Sequence, residues 1–431
     1  MNRNASTLLI NWAKSSNRKP LILNGARQVG KSWLVRNLGK THYKTKFLEI
    51  NFEKRPQLIS IFEQDFNIKR IVQELEVMFN ISLQDGKTLL FFDEIQIAQK
   101  AIVSLRYFYE DIPNIPVIAA GSLLEFQLDS ISFPVGRVTY LDILPMDFYE
   151  FLQAKNESKL AEIILSKPTE LSAIVEEKLY NLLQQYFWVG GMPACVQHFI
   201  DYNNLVEVRK IQQDLMYGYQ QDFSKYKPLV DHTCLLDILN NSSKNIGGQI
   251  VYSKLSERFT GPTIKKGLDV LSKAKILKPV NNVSIASLPF TVSGKQFKLQ
   301  FLDIGLLLCL NNVAYENLFY NKQLNVMYVG SWAEQFVGQQ LLANNYQLNY
   351  WARDKANSSA EVDFVIQDNG QIIPIEVKSG AKGTLKSLQI LLEENIHISK
   401  ALVFSKAHFG TEKKITFLPI YWAGNRNIFM N

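Results

Sequence analysis

The chain has 431 residues and 49.4 kDa, enough for two to four domains at about 100 to 200 residues each. With 47% apolar, 12% aromatic and 20% charged residues it can bury several cores, which excludes a largely disordered protein. The net charge of +7, from 47 basic and 40 acidic side chains, implies no particular partner until its distribution is known.

Cys195, Cys234 and Cys309 lie far apart without a C-x-x-C pair, and five scattered histidines offer no zinc spacing. The amino terminus carries no apolar stretch of signal-peptide length, and no window approaches the roughly 18 apolar residues of a membrane helix. The expectation is a protein of the reducing cytoplasm with no membrane partner.

In chain order, Leu21 to Asn24, Lys46 to Asn51, Thr88 to Phe92 and Val117 to Ala120 read as buried strands between amphipathic stretches. That alternation predicts a parallel α/β sheet in residues 1–150. Residues 151–240 turn helical, as a lid or connector, interrupted at 186–196 by YFWVGGMPACV, where Gly190 and Gly191 before Pro193 require a tight turn. Residues 244–278 hold eight basic side chains against Glu257 and Asp269, a surplus of six that accounts for nearly all the net charge. They read as a helix near 250–259, a Thr260-Gly261-Pro262 break and a helix near 263–273, a winged-helix-like pattern expected to fill residues 241–325. Residues 326–431 read as a further α/β domain: a helix at 331–345, strands near 348–352, 361–367 and 371–378, then a helix and strands at 400–405 and 415–422.

Gly25-Ala26-Arg27-Gln28-Val29-Gly30-Lys31-Ser32 fits G-x-x-x-x-G-K-[ST] between an apolar strand and a helix, the setting that this motif requires. Glycines let the loop wrap phosphates with backbone N–H groups, Lys31 reaches the β and γ phosphates, and the Ser32 hydroxyl ligates Mg2+. Trp33 completes the candidate ATP contacts. The strand ending in Asp93-Glu94 supplies an acid for the magnesium, through water, and a carboxylate to polarise the attacking water. Ser122, after the next strand, reads either as a sensor of the γ phosphate or as a helix N-cap.

The runs LILNGARQVGKS, FFDEIQ, AAGSLLEF, PVGR and LPMDFYEFL resemble the AAA-type ATPase module of a large prokaryotic family. YFWVGGMPACV, FLDIGLLLCL, GSWAEQFV and EVDFVIQ…IPIEVKSG resemble the domain that follows it there, described only as of unknown function. The resemblance spans almost the whole chain and implies ATP binding. Two departures, Ala26 for a frequent proline and Trp33 for a small hydroxyl residue, remove no phosphate ligand. Arg137, in PVGR, resembles the family arginine near the nucleotide; such a finger can act from a neighbouring subunit, which makes a homo-oligomer a candidate assembly. The alternative is a surface arginine paired with Asp142 or another acid.

Glu361-Val362-Asp363 and Glu376-Val377-Lys378 read as adjoining strands of a hairpin turned at Asp368-Asn369-Gly370. Glu361 and Asp363 share one face, as do Glu376 and Lys378. Preceded by a helix bearing Glu334, the pattern resembles the core of the PD-(D/E)XK, restriction-endonuclease-like fold. That resemblance implies Asp363, Glu376 and Glu334 as magnesium ligands and Lys378 as the residue that activates water. A solvated salt bridge in an inactive fold is the other reading.

The expected function is thus an ATPase whose nucleotide cycle controls a DNA-binding and DNA-cleaving carboxy-terminal half, with Lys265, Lys266 and Lys273 contacting phosphates. The alternative is an ATP-driven switch whose nuclease-like domain is inactive and only binds a partner. The basic cluster could equally coat a helical face or contact the ATPase module.

Overall fold

The computed structural model describes residues 3–44, 46–121, 136–226, 229–316, 326–353, 360–378, 380, 384–425 and 427–428. It divides into two compact units, residues 2–144 and 145–431.

The first unit is a five-stranded parallel sheet: β1 (Leu21–Asn24), β2 (Phe47–Asn51), β3 (Leu89–Asp93), β4 (Val117–Ala120) and β5 (Thr139–Asp142), in the order β2-β3-β4-β1-β5. Its helices are α1 (Asn4–Lys14), α2 (Lys31–Thr41), α3 (Ile59–Glu63), α4 (Ile68–Phe79) and α5 (Gln99–Asp111). The four apolar runs become strands within one residue of their expected ends because β1, β3 and β4 are covered on both faces and the edge strand β2 on one. β3 is buried throughout, and Phe92 meets Phe52, Phe62 and Phe108 at ring distances of 5.5–5.9 Å. The fifth strand carries no such run: β5 lies at the sheet edge and three of its four residues are exposed.

The second unit begins with helices α6 (Phe148–Ala154), α7 (Ser158–Leu165), α8 (Ala173–Val189), α9 (Pro193–Tyr202), α10 (Leu205–Asp222), α11 (His232–Lys244) and α12 (Gly261–Lys273). Strands β6 (Leu277–Ser284) and β7 (Thr291–Phe301), helices α13 (Ile304–Leu310) and α14 (Val326–Ala343), and strands β8 (Asn349–Ala352), β9 (Glu361–Asp368) and β10 (Gln371–Val377) follow. Helix α15 (Lys386–Glu394) and strands β11 (Ala401–Ser405), β12 (Gly410–Glu412) and β13 (Ile415–Pro419) complete it. All eight strands form one sheet in the order β12-β13-β11-β10-β9-β8-β6-β7. The β6–β7 hairpin, from the segment expected as its own domain, joins β8 through Asn281 opposite Asn349 and Asn282 opposite Tyr350.

No helix forms over 250–259. Ile250 instead exchanges both backbone hydrogen bonds with Phe297 of β7, at 2.8 and 3.0 Å, and only Tyr252–Lys254 makes a 3₁₀ turn. A residue whose N–H and C=O are committed to a strand cannot also supply the helical i to i−4 ladder. The β9–β10 turn follows expectation: Asn369 and Gly370 both have positive φ, 46° and 78°, as the two-residue hairpin of an Asn-Gly pair demands.

Helix α14 holds this unit together with buried amides. Gln335 donates to the carbonyl of Phe301 at 2.8 Å and accepts its N–H at 2.9 Å, so a side-chain amide occupies the edge of β7 as a neighbouring strand would. Gly338 makes the approach possible, since a Cβ there would stand 2.3 Å from the Gln300 side-chain oxygen. Gln339 donates to Asp303, and Asp303, wholly buried, also accepts from the Gly191 and Leu306 N–H groups at 2.6 and 3.1 Å. The Gly190-Gly191 turn and the FLDIG segment are therefore two sides of one buried contact.

Gln335→Leu keeps the volume but leaves the Phe301 N–H and C=O buried without a partner, at about 1–3 kcal/mol each. A loss of roughly 3 kcal/mol in urea unfolding of the second unit is expected, checked against the wild-type denaturation midpoint.

Candidate functional site

The β1 strand delivers the chain into the loop Gly25–Ser32. Gly25 has φ 141° and no room for a side chain, since its Cβ would meet the Ile143 carbonyl oxygen at 2.2 Å. Gln28 and Gly30 also have positive φ, 60° and 95°, which turns successive backbone groups of the loop the same way, and no side chain caps the N-terminus of α2. The loop is buttressed from the amino terminus: the buried Arg3 donates to the Val29 carbonyl at 3.1 Å and to the Leu144 carbonyl at 2.7 Å.

The Lys31 ammonium is folded onto the loop, donating to the Gly25 and Ala26 carbonyls, both at 2.8 Å. Burial pushes its pKa down to about 8 against the opposing pull of Glu94 and Asp93. Ser32 Oγ donates to Asp93 Oδ1 at 2.8 Å, and Asn51 Nδ2 donates to Asp93 Oδ2 at 3.0 Å. Arg36, bidentate to Glu49, reaches Asp93 Oδ2 at 3.5 Å. Burial raises the Asp93 pKa, and the Ser32 and Asn51 hydrogen bonds oppose that rise. Glu94 sits in the left-handed region, φ 52°, and its carboxylate accepts from Gln96 Nε2 at 2.6 Å. Trp33, in the first turn of α2, is 45% exposed.

Arg137 stands elsewhere. It precedes β5, whose Thr139 is level with Leu21 at the start of β1, whereas the loop leaves the other end of β1, about 13 Å away at 3.3 Å per residue. It does not reach the loop of its own chain; it pairs with Glu110 at 2.9 Å, an acid shared with Arg106. Asp142, the partner weighed from the sequence, instead accepts from Asn24. Ser122 lies outside the described residues.

In the second unit the β9–β10 register puts Phe364 opposite Ile375, and so Asp363 opposite Glu376 on one face. Val377 N–H donates to Asp363 Oδ2 at 2.8 Å, and Lys378 pairs with Glu376. The cluster expected to hold magnesium is filled by a residue that no motif indicated. Lys298, on β7 and 1% exposed, sends its ammonium to Glu334 Oε1 at 2.9 Å, to Asp363 Oδ1 at 3.3 Å and to Glu361 Oε1. Burial disfavours its charge, but Glu334, Asp363 and Glu361 outweigh burial and hold its pKa well above the usual lysine value. Burial and the facing Asp363 push Glu376 up to about 7. Among the described residues no group of three or more His, Cys, Asp or Glu is arranged to hold a metal ion. Glu334, Asp363 and Glu376 thus do not fit a resident divalent cation, because the Lys298 ammonium stands between Glu334 and Asp363 and the Lys378 ammonium holds Glu376.

On α12, Lys265 and Lys266 are exposed and Lys273 is half-buried near its end. No helix among the described residues is long and apolar enough to cross a membrane.

Residues 17–152 match the family described as AAA domain. The first unit is an AAA-type P-loop ATPase domain. Residues 180–317 and 329–422 match two families described as domains of unknown function, DUF8612 and DUF4143. An uncharacterized protein of Methanocaldococcus jannaschii is 23% identical over 357 residues, which cover 82% of this chain and 74% of that one. Another from the same organism is 24% identical over 96% of this chain and 85% of its own length. An uncharacterized Haemophilus influenzae protein is 21% identical over 91% and 90%. Among solved structures, AMPPCP-bound DnaA from Aquifex aeolicus aligns at TM-score 0.31 and 14% identity, covering 64% of this chain and 88% of that one. PCH-2 of C. elegans aligns at 0.27 and 12%, covering 45% and 59%.

The AAA-type domain therefore binds ATP, and the residues around its loop that the sequence did not single out include Arg3, Arg36, Asn51 and Gln96. Gln96 was legible in principle, since a 3₁₀ turn directly after Glu94 brings the i+2 side chain back to it; Arg3 and Asn51 act across the fold and carry no local signal.

A polyphosphate restores a charged partner to Lys31, so its pKa must rise on binding. Between about pH 8 and the ordinary lysine range near 10.5, ATP binding is expected to take up a proton and to weaken by up to tenfold per pH unit. Calorimetry at pH 9 in two buffers of different ionisation heat checks this; Lys31→Arg, which stays charged, should show no such uptake.

Proposed function

We propose that the chain is an ATP hydrolase whose nucleotide state sets the DNA affinity of a carboxy-terminal unit that binds without cutting. The observation that carries the hydrolytic half is the 2.8 Å contact between Ser32 Oγ and Asp93 beside the buried Lys31. A hydroxyl and a carboxylate oxygen at that spacing suit Mg2+, which prefers oxygen ligands and keeps several waters. Ser32 and, through water, Asp93 would hold it, and bound there it would neutralise charge on the β and γ phosphates.

The loop N–H groups and Lys31 hold the phosphates of ATP in line. Glu94 accepts a proton from water as the water oxygen bonds to the γ phosphorus; the bond from phosphorus to the β–γ bridging oxygen breaks, and its electrons leave with ADP. Gln96 keeps the Glu94 carboxylate oriented, and Asn51 does the same for Asp93. Arg137, exposed and remote from its own loop, suits action on the nucleotide of a neighbouring copy in a homo-oligomer.

The DNA-binding half of the reading is supported by α11, the Ile250 bridge, α12 and the β6–β7 hairpin, a succession that suits a winged helix with α12 presenting Lys265, Lys266 and Lys273. The sheet and helix around Asp363, Glu376 and Lys378 suit a nuclease-like fold, but Lys298 among the acids favours a non-cleaving one over an endonuclease.

Glu94→Gln should retain ATP binding and slow hydrolysis by about 10²-fold or more, while Lys31→Ala should lose binding. Phosphate release together with equilibrium nucleotide binding distinguishes the two; unchanged turnover in Glu94→Gln would overturn the assignment of the base.

A further inference from the structure

The acidic face of the second unit holds four carboxylates, Glu334, Glu361, Asp363 and Glu376, and two ammonium groups, Lys298 and Lys378. The Lys298 ammonium meets one oxygen from each of Glu334, Glu361 and Asp363, while the second oxygens of Asp363 and Glu361 are engaged by the Val377 N–H and by Gln249. The stem of Lys298 leads its charge to within 5.5 Å of the Tyr350 ring centroid, so the ammonium is walled from water by an aromatic face as well. One oxygen is unsatisfied: Oε2 of Glu376, a residue 4% exposed, has no hydrogen-bond partner among the described residues.

Three carboxylate oxygens that converge on one cation, with the unpartnered Oε2 of Glu376 at the strand position opposite Asp363, are a donor set suited to a hard cation, and here the cation is covalently attached. We infer that Lys298 is the resident cation of this face, and that the four acids form a latent divalent-cation site which the wild-type chain keeps closed with its own ammonium. Removing the charge without removing the acids leaves carboxylates buried with too little positive charge, which a divalent ion at about 2.0–2.6 Å from their oxygens can supply. The inference rests on the non-cleaving reading above, and deepens it by naming what keeps metal out.

The experiment uses the full-length protein without nucleotide and Mn2+ alone as the probe, read by the loss of free-ion signal in electron paramagnetic resonance. Wild type and Asp363→Asn should bind Mn2+ indistinguishably, since Asp363 then contributes to no metal site. Lys298→Met should gain one further Mn2+ per chain, lost again in Lys298→Met/Asp363→Asn, and its lowered thermal midpoint should recover with Mn2+. Lys298→Met/Glu361→Gln, with one fewer buried acid, is the variant to use if Lys298→Met does not fold, and it should bind the same additional ion through Glu334, Asp363 and Glu376. Mn2+ binding by wild type that disappears in Asp363→Asn would overturn the inference, as would folded Lys298 variants that gain no ion. Nicking of supercoiled DNA by wild type would instead overturn the non-cleaving reading, and it is measured separately from Mn2+ binding.

Discussion

Burying a polar group without a partner costs more than any single packing contact returns, and the second unit is arranged around meeting that requirement along helix α14. Glu334, Gln335, Gln339 and Gln340 all lie in its buried surface, where a helix of a globular unit ordinarily presents leucine or isoleucine. Lys298 meets Glu334, the backbone of Phe301 meets Gln335, Asp303 meets Gln339 and the Phe148 N–H meets the Gln340 oxygen, while Gln340 Nε2 stays buried without a hydrogen-bond partner among the described residues. The helix thereby fixes the edge of the sheet, the start of α13 and the start of α6 at once. In the ATPase domain the same requirement acts at one point, the end of β3, where five buried residues terminate in a carboxylate met by Ser32 and Asn51.

How much of this was legible in the sequence follows from how local each signal is. The P-loop, the strand before it and the acid pair after β3 are contiguous, and each declares its structure through the residues beside it. The β9–β10 hairpin was equally plain, because Asn369-Gly370 dictates both turn and register. Lys298 was invisible for a physical reason. In Phe297-Lys298-Leu299-Gln300-Phe301 the polar residues alternate with apolar ones, which reads as a strand with one wet face; α14 covers that face, so both sides are buried and the lysine must find acids. The expected helix at 250–259 failed for a related cause, since the partner that claims the backbone of Ile250 is 47 residues away in Phe297 and nothing local announces it.

The eight-stranded sheet joins features that the sequence separates. The β6–β7 hairpin follows the basic helix α12 directly, and its second strand carries Lys298 into the acidic cluster, so the proposed DNA-contacting segment and strands β8 to β10 share one hydrogen-bonded framework. Chemistry that the strand pattern suggests is thus opposed by a charge delivered from the neighbouring segment. A fold and its residue pattern set what a site resembles; the cation actually present among the carboxylates decides what it can bind.

The proposed function requires that nucleotide state govern DNA affinity without cleavage. Fluorescence anisotropy of a labelled duplex against the Glu94→Gln protein, with ATP and magnesium and without nucleotide, tests it most directly at fixed salt. Affinities should differ by roughly 5–150-fold between the two states, with no such difference in Lys31→Ala, weaker binding in both states for Lys265→Glu/Lys266→Glu, and duplex recovered intact. Equal affinity with and without ATP, or recovered DNA that has been cut, would contradict it.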